Sequence, residues 1–118
     1  MSIDKYFDKR YSSDSYNCAH FVAEVWKDET GQDIEANLAG YMRPGSTRHV
    51  PMSQRRTFKR LAAPCSPCVV LFQGHRIAPH VGIYLRGRVL HISSKQGVRF
   101  DELSAASIGY KKVGYFVC

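Results

Sequence analysis

The stretch "PHVGIYLRGRVLH", Pro79 to His91, decides the fold. Its apolar positions alternate with polar ones, β-branched and aromatic side chains dominate, and "RGR" makes a tight connection in which Gly87 can take a positive φ. It reads as a β-hairpin with a histidine near each end. Pairing the two strands about that turn brings His80 and His91 to the same end of a sheet, on neighbouring strands. Directly opposed side chains in such a pair lie about 4.5 to 5.5 Å apart at Cβ, close enough for one imidazole to orient the other.

Outward from the hairpin the C-terminal half keeps the strand texture: "CVVLF" from Cys68, a short "GVRF" from Gly97 and a closing "KKVGYFVC". Before Cys68 the periodicity is helical. In "YNCAHFVAEVW", Tyr16 to Trp26, the residues Phe21, Val22, Val25 and Trp26 recur at helical spacing, so a helix runs from Cys18 to about Lys27, with Gly31 placed to end it. A second short helix is expected over Ile34 to Met42, stopped by "RPG". A third is expected from Met52 to Ala63, stopped by Pro64. Helices first and an antiparallel sheet afterwards give an α+β fold. There is no internal repeat and no low-complexity tract.

The chain has 118 residues, 44% of them hydrophobic, which suits one domain over 1–118 with a modest core and no linker. No apolar run approaches the roughly 18 residues of a membrane span, and the polar start "MSIDKYFDKRYSSDSYN" lacks the apolar stretch of a signal peptide. The expectation is synthesis in the cytoplasm, with export only by a partner or by lysis. Four irregularly placed cysteines then default to reduced thiols. The net charge of +7, from 17 Lys and Arg against 10 Asp and Glu, favours anionic partners. In the densest basic segment, "RRTFKRLAA" from Arg55, helical spacing sets Phe58, Leu61 and Ala62 apart from the basic residues. That is a solvated helix face, and no motif for specific nucleic-acid binding accompanies it.

Taken singly, Cys18 reads as a small buried hydrophobe and each histidine as a strand residue. Together they form a constellation. A thiol that opens a helix meets unpaired N–H groups and the positive end of the helix dipole, which favour the thiolate. A cysteine nucleophile also needs a base, and the base needs a polar partner that fixes its tautomer. The hairpin offers candidates for both, so the spacing permits a Cys18–His80–His91 triad.

"YNCAHFVAEVW", "HVGIYLRGRVLH" and "SSKQGVRFDEL" resemble the NlpC-type cell-wall peptidases of the papain-like superfamily, over nearly the whole chain from about Tyr11 to Phe116. The resemblance implies a papain-like fold, with Cys18 as nucleophile, His80 as base and His91 as the residue that orients His80. It also implies a tyrosine at the oxyanion, Tyr11 in preference to Tyr6, beside the Cys18 backbone N–H. His20 either lines the cleft or caps the helix. No cofactor and no metal are implied. The implied substrate is the peptide part of peptidoglycan. The positive charge suits an anionic wall polymer, and the polar start without a signal stretch leads to the expectation of a phage tail component or a toxin that other proteins deliver. This chain departs from the family pattern at Asn17, which replaces an aspartate, at Ala19-His20, which replaces a Ser-Gly pair, and at Pro67-Cys68, which replaces a Gly-Asp. The "NCAHF" string is also similar to the "NCEHF" of lecithin retinol acyltransferase relatives, but there the histidine precedes the cysteine. A non-enzymatic tail-assembly module, and an acyltransferase or deamidase on the same scaffold, are the competing readings.

"CSPC", at Cys65 and Cys68, is a lone CxxC. Only His75 and Cys118 are on offer to complete a zinc site, and a strand follows where a redox dithiol would open a helix, so the pair reads as structural.

Overall fold

A computed structural model describes residues 3–42 and 58–117. Six strands form one antiparallel sheet: β1 (Lys59–Leu61), β2 (Cys68–Gly74), β3 (Ile77–Leu85), β4 (Arg88–Ser93), β5 (Gly97–Asp101) and β6 (Lys112–Val117), in the order β1-β6-β2-β3-β4-β5. Helices α1 (Cys18–Thr30) and α2 (Glu35–Met42) precede the sheet, a 3-10 turn covers Asp4–Tyr6, and the short α3 (Leu103–Ala106) links β5 to β6. This is the α+β arrangement expected from the sequence. No helix among the described residues is long and apolar enough to cross a membrane.

The first helix forms where its caps and apolar stripe require. The Asn17 side chain accepts the Ala19 N–H at 3.0 Å, and Gly31 ends the helix in the left-handed region at φ 81°. The buried residues Phe21, Val22, Val25 and Trp26 lie on one stripe. That stripe packs against Val81, Ile83 and Leu85 of β3 and Leu90 and Ile92 of β4. The other face of the sheet carries a smaller core of Cys68, Val70, Phe72, Val89 and Ala106. Strand alternation therefore divides the hairpin: Val81, Ile83 and Leu85 face α1, while His80, Gly82 and Tyr84 belong to the opposite face.

The hairpin turn is tighter than glycine alone would indicate. Leu85 pairs with Arg88, and both intervening residues have positive φ, Arg86 at 52° and Gly87 at 87°. Two such residues match the right-handed twist of the flanking strands.

The expected third helix is corrected. Residues 52–57 lie outside the described residues, and Lys59–Leu61 form an edge strand, β1, paired with Tyr115–Val117 of β6. An open ladder on β6 gives these backbone groups partners that a helix cut short at Pro64 would not. Phe58 stacks on Phe116 at 6.2 Å, and Arg60 lies 5.9 Å from the same ring.

Candidate active site

Cys18 is the first residue of α1, where the chain leaves its Asn17 cap. Asn17 Nδ2 also donates to the Met42 carbonyl at 2.8 Å, so the end of α2 is tied to the start of α1. The sulfur of Cys18 accepts backbone N–H groups from Val81, from Ala19 and from its own residue. The bond from Val81 brings the helix start against β3 one residue past His80. β3 and β4 pair from Leu85–Arg88 back only as far as Ile83–Leu90. Val81 lies beyond that point, where its N–H is free for the sulfur.

Burial pushes the Cys18 thiol up, and the three N–H groups only partly offset it. This corrects the expectation that the helix terminus lowers the thiol pKa, because desolvation of the thiolate outweighs the backbone N–H groups that meet it. His80 is pushed down to about 4, by burial first and by His91 second. Both shifts favour a resting pair of neutral thiol and neutral imidazole over an ion pair.

The two histidines meet: His80 Nε2 lies 2.8 Å from His91 Nδ1. They are not directly opposed, however. Continuing the β3–β4 register puts Gly82 opposite His91 and Ser93 opposite His80, so the imidazoles bridge a diagonal. Gly82 lies opposite His91, where a Cβ would stand 3.2 Å from His91 Cβ and 2.8 Å from Val89 Cγ1. His91 is 8% exposed, and its other nitrogen, Nε2, reaches Asp101 Oδ2 on β5 at 2.9 Å. Arg99 Nε and Nη2 grip the same carboxylate at 3.0 to 3.1 Å. Burial works against the Asp101 charge, but the Arg99 and His91 hydrogen bonds win and hold the carboxyl below its ordinary value.

Aromatic rings enclose His80. Tyr110 stacks on it nearly parallel, at 6.2 Å and 15°, and Phe72 lies 5.7 Å away. The hydroxyls of Tyr11 and Tyr110 are both raised, by burial first and then by the nearby Cys18 sulfur. Tyr6 points elsewhere, with its hydroxyl donating to Asp28 and Glu29 on the outer side of α1. His20 Nδ1 accepts the Asn17 N–H at 3.1 Å and its ring stacks on Tyr16, so the imidazole closes the helix cap. Ser93 Oγ accepts the Gln96 N–H in the β4–β5 turn.

Sequence reasoning missed Asp101, Arg99, Gly82 and Tyr110. The first two carried a signal: in "VRFD" alternation sets Arg99 and Asp101 on one face of a strand, and pairing with β4 puts that face beside His91.

This architecture is similar to that of solved structures. The crystal structure of the NlpC/p60 domain of the peptidoglycan hydrolase SagA superposes with a TM-score of 0.55, covering 97% of this chain and 90% of that one at 21% identity. The fold is NlpC/p60. No protein-family model matches the chain, and no curated protein matches it. Against the NlpC/p60 frame, the helix-opening cysteine and the strand histidines belong to one α+β papain-like scaffold.

Away from this site, Cys65 is exposed and Cys68 buried, and burial pushes the Cys68 thiol up to about 11, with Cys65 in hydrogen-bond reach. Among the described residues no three His, Cys, Asp or Glu side chains gather as around a metal ion. Cys118 lies outside the described residues.

Proposed function

We propose that the protein is a cysteine peptidase that cleaves amide bonds in the peptides of peptidoglycan, with Cys18 as nucleophile, His80 as base and His91 as the partner that orients it. The observation that carries this reading is the hydrogen-bonded histidine pair on β3 and β4, with α1 opening at Cys18 against Val81. The NlpC/p60 fold, known here from a peptidoglycan hydrolase, and the net charge of +7, suited to an anionic wall polymer, support it. Delivery to the wall by a phage tail or another carrier protein is part of the same proposal.

The chemistry starts from the neutral pair. As the sulfur attacks the scissile carbonyl carbon, His80 Nδ1 takes the thiol proton, so charge separates only as the carbon–sulfur bond forms. The oxyanion is met by the Cys18 backbone N–H and the Tyr11 hydroxyl. Collapse breaks the C–N bond, and His80 returns its proton to the departing amine. Water then attacks the thioester, with His80 again as base, releasing the acid and restoring the thiol.

Purified peptidoglycan incubated with the protein should release peptide-bearing fragments, visible by mass spectrometry, and none beside a Cys18→Ala control. Identical fragment profiles for both proteins would refute the reading and favour a non-enzymatic module. A new amide or ester in place of the free acid would mark an acyltransferase.

A further inference from the structure

The hydrogen bonds beyond His91 fix more than its position. An ionised carboxylate only accepts, so the Asp101 Oδ2 contact at 2.9 Å requires the proton of His91 to sit on Nε2. Neutral His91 then offers a lone pair at Nδ1. Across the 2.8 Å contact, His80 Nε2 must therefore be the donor, and Nδ1 of His80 is left as the acceptor. Arg99 has no proton to accept and five to give, so its fork keeps Asp101 charged at the head of the row.

We propose that Asp101, clamped by Arg99, is a positioning residue that sets the tautomers of both histidines in series and so makes Nδ1 of His80 the basic nitrogen of the site. This rests on the catalytic reading of His80 given above, and it adds two residues on β5 that act through others. The row crosses three strands by diagonal steps. His91 pairs directly with Arg99, and Asp101 pairs with Val89, so each polar contact skips to the next residue on the same face.

The clamp makes Asp101→Asn the informative change. Arg99 Nε lies between the two oxygens, 3.1 Å from Oδ1 and 3.0 Å from Oδ2, while Nη2 donates to Oδ1 alone at 3.0 Å. An amide oxygen at the Oδ1 position therefore keeps the Nη2 bond and turns the NH2 group toward His91. An amide N–H facing Nε2 forces the His91 proton to Nδ1, which inverts the bond to His80 and puts the His80 proton on Nδ1. The base then faces the thiol with a hydrogen in place of a lone pair.

Nitrogen-15 NMR of the unmodified protein at neutral pH should show His80 and His91 both as Nε2–H tautomers, and both should change to Nδ1–H in Asp101→Asn. The rate of Cys18 alkylation by iodoacetamide, followed by peptide mapping, should fall further in Asp101→Asn than in Asp101→Ala. The ceiling is about the 10^4-fold cost of a wrong tautomer in a catalytic triad. Removing the clamp as well, in Arg99→Leu/Asp101→Asn, lets the amide turn and should recover part of the rate. A merely structural role predicts the reverse order, with Asn tolerated better than Ala and the double variant worse than either. That order, or an Nδ1-protonated His80 in the unmodified protein, would overturn the relay. Neither readout uses peptidoglycan. Failure of fragment release with the tautomers as described would therefore count against the substrate and leave the relay standing.

Discussion

Cys18 and Cys68 are both thiols whose pKa burial raises, and they differ in what surrounds them. Cys18 opens α1 against β3, with backbone N–H groups on its sulfur and the imidazole row one residue from its Val81 contact. Cys68 opens β2 in the smaller core and has another thiol, Cys65, as its polar neighbour. A thiol's own pKa therefore does not mark the nucleophile in this protein. What distinguishes the two regions is the hydrogen-bonded histidine pair next to the Val81 contact, which the proposed function reads as the proton acceptor and its partner.

The hardest way to break that contrast is to remove the acceptor. His80→Ala should lower peptidoglycan turnover by about 10^2- to 10^4-fold, the usual worth of a positioned base. Combining it with Cys18→Ala should add little, because the two act as a unit. Cys68→Ala should cost packing and leave turnover in place. Fragment release per unit time for the four variants measures all of this, and equal losses in His80→Ala and Cys68→Ala would erase the distinction.

Acid separates the regions next. His80 has an ordinary value of 6.5 and a folded one of about 4, so as pH falls the unfolded chain takes up the proton first. Stability is then intact above about pH 6.5 and is lost progressively toward pH 4, by up to about 3 kcal/mol at 1.36 kcal/mol per unit. The raised Cys68 thiol stays protonated throughout this window and contributes nothing to the slope. Urea unfolding at several pH values should show the acid loss in the parent and a flatter profile in His80→Gln.

The hairpin was legible because its signals agreed: alternation, a two-residue turn and β-branched content all point to one register, and α1 was equally plain from its apolar stripe and Gly31. What sequence could not supply was the geometry between elements. A diagonal contact between imidazoles depends on which residue lies opposite Gly82, and that becomes visible only once the strands are in register. Asp101 was hidden for the same reason, since its partner is 10 residues away across a strand pair. The thiol pKa was misjudged because a helix terminus can be read from sequence, whereas the desolvation that opposes it comes from packing. Likewise "KRL" carries helical spacing locally, but the open ladder of β6 decides its structure.

The smallest and most local break is at Gly82, opposite His91, where an added side chain would press on β4. Its φ is unexceptional, so the constraint is space. An added Cβ would stand 2.8 Å from Val89 Cγ1 and 3.2 Å from His91 Cβ, tighter than either neighbour can accept without moving. Val89 is fully buried in the core that also holds Cys68, and His91 is fixed at both ring nitrogens. Relief must therefore come from a shift of β4 relative to β3, which lengthens the His80–His91 contact. Gly82→Ala should cost about 1 to 3 kcal/mol, the usual cost of overpacking a filled interior. It should also lower turnover beyond what that destabilisation explains at a temperature where the variant is fully folded. Thermal unfolding together with fragment release at 25 °C tests the two parts. A variant as active as the parent would mean that the imidazole pair tolerates displacement, and that the close approach over Gly82 serves packing alone.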